Sequence, residues 1–178
     1  MWDAVVPHLA DRFRVVRWDA PGHGATTVPA QPTAETADEL LELLDRLGLR
    51  RVTLVGFSMG AGTATGFAID YPSRVDRLIL IATSGPPPGA PVAASGHPPL
   101  SEPEGRRLLA ATGLPVLMIV GDRDNDRIRA TAEAVAREVP SAELLVLANV
   151  SHNVIAERPL HVAAAIRRFA SAHSERRR

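Results

Sequence analysis

The chain has 178 residues, 46% of them apolar, which is enough for one domain with a packed core. Lys plus Arg total 20 and Asp plus Glu total 20, so the formal net charge is zero and no basic field draws the chain to nucleic acid or to an anionic membrane. The absence of cysteine excludes disulfides, thiolate metal sites and a cysteine nucleophile.

The first eight residues lack a basic region followed by an apolar run, so no secretory leader is expected. The longest apolar stretch, around Val116 to Val120, is too short to span a bilayer, and a soluble cytoplasmic protein is the expectation. Phe13-Arg14-Val15-Val16-Arg17 reads as the first strand. Leu40, Leu41, Leu43, Leu44 and Leu47 share one helical face, closed by Gly48. A strand at Val52–Val55 leads into a helix from Met59 to about Tyr71, which Pro72 ends. The next strand is Leu78–Ile81. From Ser84 to Pro103 there are seven prolines and three glycines in twenty residues, which forbids a strand or a long helix and reads as an irregular surface excursion.

Beyond it come a strand at Val116–Val120, a helix near Ile128–Glu138, and a strand at Leu144–Leu147. A last helix at Leu160–Ala172 is opened by Pro159, and the basic end 173–178 reads as a solvated tail. Short continuous apolar runs suit strands buried on both faces, and their alternation with helices predicts an α/β fold. The sheet is doubly wound, mostly parallel and of about five strands, within a single domain at 1–172.

The sharpest chemical signal is Gly56-Phe57-Ser58-Met59-Gly60, directly after a predicted strand and before a predicted helix. That context is what a G-x-S-x-G nucleophile turn requires. A tight strand–helix bend lifts the Ser58 hydroxyl above the sheet, with glycines two positions either side giving the backbone room. The Met59 amide, at the helix start, points where an oxyanion would form. A glycine-rich turn with an incidental serine is the plainer alternative. A serine hydroxyl needs a base, and His152 fits: it follows the last strand by the short loop Ala148-Asn149-Val150-Ser151. His8 and His161 lie in helical patterns, His97 in the proline-rich stretch and His173 in the tail.

The carboxylate that orients the base is expected in Gly121-Asp122-Arg123-Asp124-Asn125-Asp126, where a strand ends. Spacing alone leaves its three aspartates open, with Asp126 suited to capping the following helix. Gly60-Ala61-Gly62-Thr63-Ala64-Thr65-Gly66 fails as a nucleotide loop, because Thr65 stands where G-x-G-x-x-G needs its third glycine and no Gly-Lys-Ser/Thr follows. Small residues packing a helix closely on the sheet account for it. No spacing suggests a metal site, and neither a cofactor nor a metal is expected.

Taken together, these segments resemble the α/β-hydrolases from residue 1 to about 172, and within them the bacterial 3-oxoadipate enol-lactonases. The resemblance is carried by Met1-Trp2-Asp3, Arg12–Arg17, Asp19-Ala20-Pro21-Gly22-His23-Gly24, Leu43–Gly48, the Ser58 turn, Tyr71–Leu78 and Ser151-His152 with Glu157 and Pro159. It implies Asp124, rather than Asp122, as the acid partner of His152. Similar serine turns occur in cofactor-free haloperoxidase-like esterases. Members of the family have about three further strands before the point where this chain starts, the third ending in a His-Gly loop that supplies a second oxyanion amide. Here the Met59 amide is the one accounted for. The missing third strand would stand between Phe13–Arg17 and Val52–Val55, so its absence implies a gap or a direct pairing of those two. The helical cap is reduced to the excursion at 84–103. Met1 is accordingly expected to be an internal methionine of a longer frame, or the chain a shortened relative.

The expected chemistry is acyl transfer to water on a small carboxylic ester or enol-lactone. The alternative is a hydrolase fold that binds without catalysing. Neither nucleic acid nor membrane is an expected partner, and the sequence leaves self-association open.

Overall fold

The computed structural model describes residues 1–29, 33–85 and 96–172. Residues 86–95 of the proline-rich stretch and the tail at 173–178, with His173, lie outside the described residues. Two short 3₁₀ turns, Trp2–Ala4 and Val6–His8, precede the regular elements. There follow α1 (Thr33–Arg46), β1 (Val52–Phe57), α2 (Met59–Asp70), β2 (Val75–Ile81), α3 (Pro103–Ala111), β3 (Val116–Gly121), α4 (Asp126–Glu138), β4 (Ala142–Leu147), α5 (Val154–Glu157) and α6 (Pro159–Ser171).

The four strands form one parallel sheet in the order β1-β2-β3-β4, each joined to the next by a helical crossover. Helices cover both faces. On one side Ala61, Ala64 and Phe67 of α2, Leu109 of α3 and Ala132 and Val135 of α4 bury Leu78, Leu80, Val116 and Met118. On the other, Val5, Leu9, Ile155, Val162, Ile166 and Phe169 bury Ile79, Ile81, Leu117 and Ile119. Alternate residues of β2 and β3 therefore serve two separate cores, which is why these strands read as unbroken apolar runs. Of the small residues of α2, Ala61, Ala64, Thr65 and Gly66 are buried, whereas Gly60 and Gly62 face open space, so close packing accounts for part of the run only. Gly48 ends α1 with φ +65°, while Leu49 N–H bonds the Leu44 carbonyl at 2.8 Å.

The segment Phe13–Arg17 is not a strand. It is unpaired: among the described residues its backbone from Arg14 to Arg17 makes no main-chain hydrogen bond. Phe13 and Val15 instead pack on the second core, as do Val55 and Phe57 of β1. Alternating apolar residues buried this way have the period of a strand without needing a ladder partner. The sheet thus has four strands rather than five, and the outer edge of β1 carries no ladder among the described residues. The direct pairing considered for the two segments does not occur.

Two elements were not foreseen, α3 and α5. In α3 a Cβ on Gly105 would stand 2.4 Å from the carbonyl oxygens of Pro98 and Pro99, so glycine lets the excursion return flat against the helix. Among the described residues no helix is long and apolar enough to cross a membrane.

Candidate active site

The site stands at the carboxyl end of the sheet, where β1, β3 and β4 release their chains into turns. Ser58 follows β1 with φ +51° and ψ −115°, a conformation that a non-glycine residue holds at an energetic cost. Its N–H donates to the Ile81 carbonyl of the neighbouring strand at 2.9 Å, and its carbonyl accepts from Ala61 N–H at 3.1 Å. Those two bonds fix the bend. Close approach explains one of the flanking glycines: a Cβ on Gly56 would lie 2.5 Å from Ala61 Cα and 2.6 Å from the Gly60 carbonyl oxygen. Gly60 differs from the expectation, for a Cβ there meets nothing within 4 Å.

Ser58 caps α2 by position, yet its hydroxyl makes no capping bond. Instead Oγ lies 3.0 Å from His152 Nε2. The opposite ring nitrogen, Nδ1, is 3.0 and 3.2 Å from the two carboxylate oxygens of Asp124. The Asp124 side chain is 1% exposed, whereas the His152 side chain is 46% exposed. A buried carboxylate needs donors, and Asp124 takes both the imidazole and the Asn125 N–H, at 2.8 Å. With Nδ1–H donating to Asp124, Nε2 presents its lone pair to the serine hydroxyl. Phe57 lies beside the imidazole, ring centroids 5.5 Å apart.

The three aspartates that spacing left open divide cleanly. Asp124 meets His152. Asp122 accepts the Val150 N–H at 3.1 Å and so holds the histidine loop by its backbone. Main-chain donors at Asn149 and Val150 keep its carboxyl below the ordinary 3.8. Asp126 does not cap α4, contrary to expectation. Asn125 does, its Oδ1 accepting Ile128 N–H at 3.0 Å, while Asp126 occupies the first helical position and pairs with Arg129. The cap lies one residue before the aspartate that the pattern suggests, because Asn and Asp cap equally well.

Met59, the first residue of α2, has an N–H with no intrahelical acceptor, as the first turn of any helix does. That amide is available to an anion beside Ser58. Gly121, at the head of the Asp124 turn, has its own role: a Cβ there would stand 2.1 Å from the Val150 carbonyl oxygen. Of the other described histidines, His97 is bonded to Asp70 at 2.7 Å and His8 lends its carbonyl to Arg167. Among the described residues no cluster of three His, Asp or Glu side chains is placed to hold a metal ion.

The sequence model of the family described as the alpha/beta hydrolase fold matches residues 1–98, more than half of the chain. The chain belongs to the α/β-hydrolase family. This hydrolase-fold chain is 42% identical over 86 residues to the uncharacterized protein Rv2715 of Mycobacterium tuberculosis, a match covering 47% of this chain and 25% of that protein. It is 31% identical over 86 residues to 3-oxoadipate enol-lactonase 2 of Acinetobacter baylyi, covering 47% of this chain and 32% of the lactonase. The matches therefore span about a quarter to a third of those relatives. Among solved structures it is similar to a hydrolase from Pseudomonas aeruginosa, with TM-score 0.79 and 28% identity over 97% of this chain and 85% of that one. The meta-cleavage product hydrolase of Pseudomonas fluorescens, at TM-score 0.77 and 17% identity over 95% and 84% of the two chains, shares the fold.

Proposed function

We propose that the chain is a serine hydrolase that cleaves a carboxylic ester or an enol-lactone through an acyl-enzyme, without a cofactor. The observation that carries this reading is the continuous line from Ser58 Oγ through the His152 ring to buried Asp124. Ser58 Oγ attacks the carbonyl carbon while His152 Nε2 takes its proton, and Asp124 stabilises the imidazolium so formed. Negative charge on the carbonyl oxygen falls near the Met59 N–H. Collapse of the tetrahedral species breaks the bond to the leaving oxygen, which receives the proton from His152. For a lactone the leaving group stays attached as the ring opens. Water then attacks the acyl-serine with His152 as base, which restores Ser58.

The enol-lactone choice draws on the similarity to the Acinetobacter lactonase, and the wider ester class on another relative. The pimeloyl-[acyl-carrier protein] methyl ester esterase of Nitrosomonas europaea is 38% identical over 85 residues. A panel of p-nitrophenyl esters and enol-lactones tests the reading. Turnover that is lost in Ser58→Ala is the expected result. No turnover by folded protein on any member favours the binding alternative.

A further inference from the structure

We infer that Glu157 is a positioning residue for His152, acting through Ser151; this deepens the serine-hydrolase reading and rests on it. Ser58 is fixed by β1 and α2, and Asp124 is buried between β3 and α4. His152 alone of the three is borne on an exposed loop, with Ser151, His152 and Asn153 all open to solvent. Its ring bond to Asp124 restrains the side chain but not the backbone that delivers it.

Two anchors hold that backbone. Upstream, fully buried Val150 gives its N–H to Asp122 at 3.1 Å and its carbonyl to Arg123 N–H at 2.9 Å. Downstream, the Ser151 N–H is shared by both carboxylate oxygens of Glu157, at 3.2 Å each, and the Ser151 hydroxyl donates to the same carboxylate. Glu157 is the last residue of α5, whose Val154 and Ile155 are fully buried in the second core. The carboxylate thus ties the residue before His152 to a platform that cannot shift without disturbing the core. His152 sits inside the closed loop from Ser151 to Glu157, where its carbonyl also accepts from Val154 N–H at 2.9 Å. The Ser151 hydroxyl and then its amide hold the Glu157 carboxyl below the ordinary 4.5, so the clamp is charged.

The test compares Glu157→Ala, Glu157→Gln and Ser151→Ala with the wild type. The readouts are kcat and KM for p-nitrophenyl acetate and the His152 Nδ1–H resonance in ¹⁵N-histidine-labelled protein. Loss of the clamp lowers kcat on the order of tenfold to a hundredfold with KM nearly unchanged, and it shifts or broadens the resonance. Glu157→Gln, which keeps an acceptor, recovers much of both. Ser151→Ala, which keeps the amide, falls between and decides the matter should Glu157→Ala fail to fold. Folded variants with wild-type kcat and an unmoved resonance overturn the inference. If the wild type hydrolyses nothing, the hydrolase reading fails, and the resonance alone judges the clamp: movement upholds it and constancy refutes it.

Discussion

Gly121 and Val150 touch backbone to backbone, with the Val150 carbonyl oxygen where a Gly121 Cβ would stand, 2.1 Å away. The turn that carries Asp124 and the loop that carries His152 are thereby held together by a backbone contact. Gly121→Ala must push them apart. Overpacking of this kind costs about 1–3 kcal/mol, so a lower midpoint in chemical denaturation is expected together with slowed ester hydrolysis.

Asp122 and Asp124 are two residues apart but do different work. Asp124→Asn is expected to lower kcat by about 10⁴, the cost of fixing the wrong imidazole tautomer in a serine triad. Asp122→Asn keeps an oxygen for the Val150 N–H and should leave kcat within about tenfold of wild type. Steady-state kinetics on both variants separates the roles, and equal losses would show the assignment to be wrong.

The two glycines of the serine turn are not equivalent. Gly56→Ala drives a methyl into the α2 backbone and should destabilise by about 3 kcal/mol or more. Gly60→Ala points into open space on a helix and should stabilise by roughly 0.5–1 kcal/mol. Urea titration of each variant gives the sign directly.

Acid should loosen the histidine loop before the sheet. Asp122 and Glu157 both have folded values depressed by donors on that loop. Groups of this kind contribute stability that is present above their ordinary values, 3.8 and 4.5, and is lost as pH falls through the lower folded values. Amide resonances of Val150 and Ser151 should therefore move as pH drops below about 4.5, ahead of those of β3. Glu157→Gln should remove the part of that shift that belongs to Ser151.

The open edge of β1 also has a measurable consequence. Its residues are half-buried, whereas β3 is buried throughout. Hydrogen exchange should be faster in β1 than in β2 or β3, because among the described residues β1 has a ladder partner on one side only.

Much of this was legible in the residues. The Ser58 turn could be read because its glycine spacing falls between a β-branched run and a helical one, so motif and context agree. His152 followed from its place after the last strand. The choice among Asp122, Asp124 and Asp126 was not legible from spacing, since it depends on which carboxylate faces a loop 28 residues away. The family resemblance implies Asp124, and it is the Asp124 carboxylate that lies against His152 Nδ1. Phe13–Arg17 misled because burial on a core face and pairing in a ladder leave the same alternation in sequence. The contacts of Gly121 and Glu157 left no local signal, although Glu157 belongs to the segment that carries the resemblance, for each acts on a backbone that only the fold brings close.

The proposed chemistry requires the Ser58 hydroxyl to be a nucleophile activated by His152. Incubation with a fluorophosphonate, followed by peptide mapping, tests this. One adduct on Ser58, formed by the wild type and greatly slowed in a folded His152→Ala variant, is the predicted result. An unlabelled wild type, or equal labelling when His152 is removed, would contradict it.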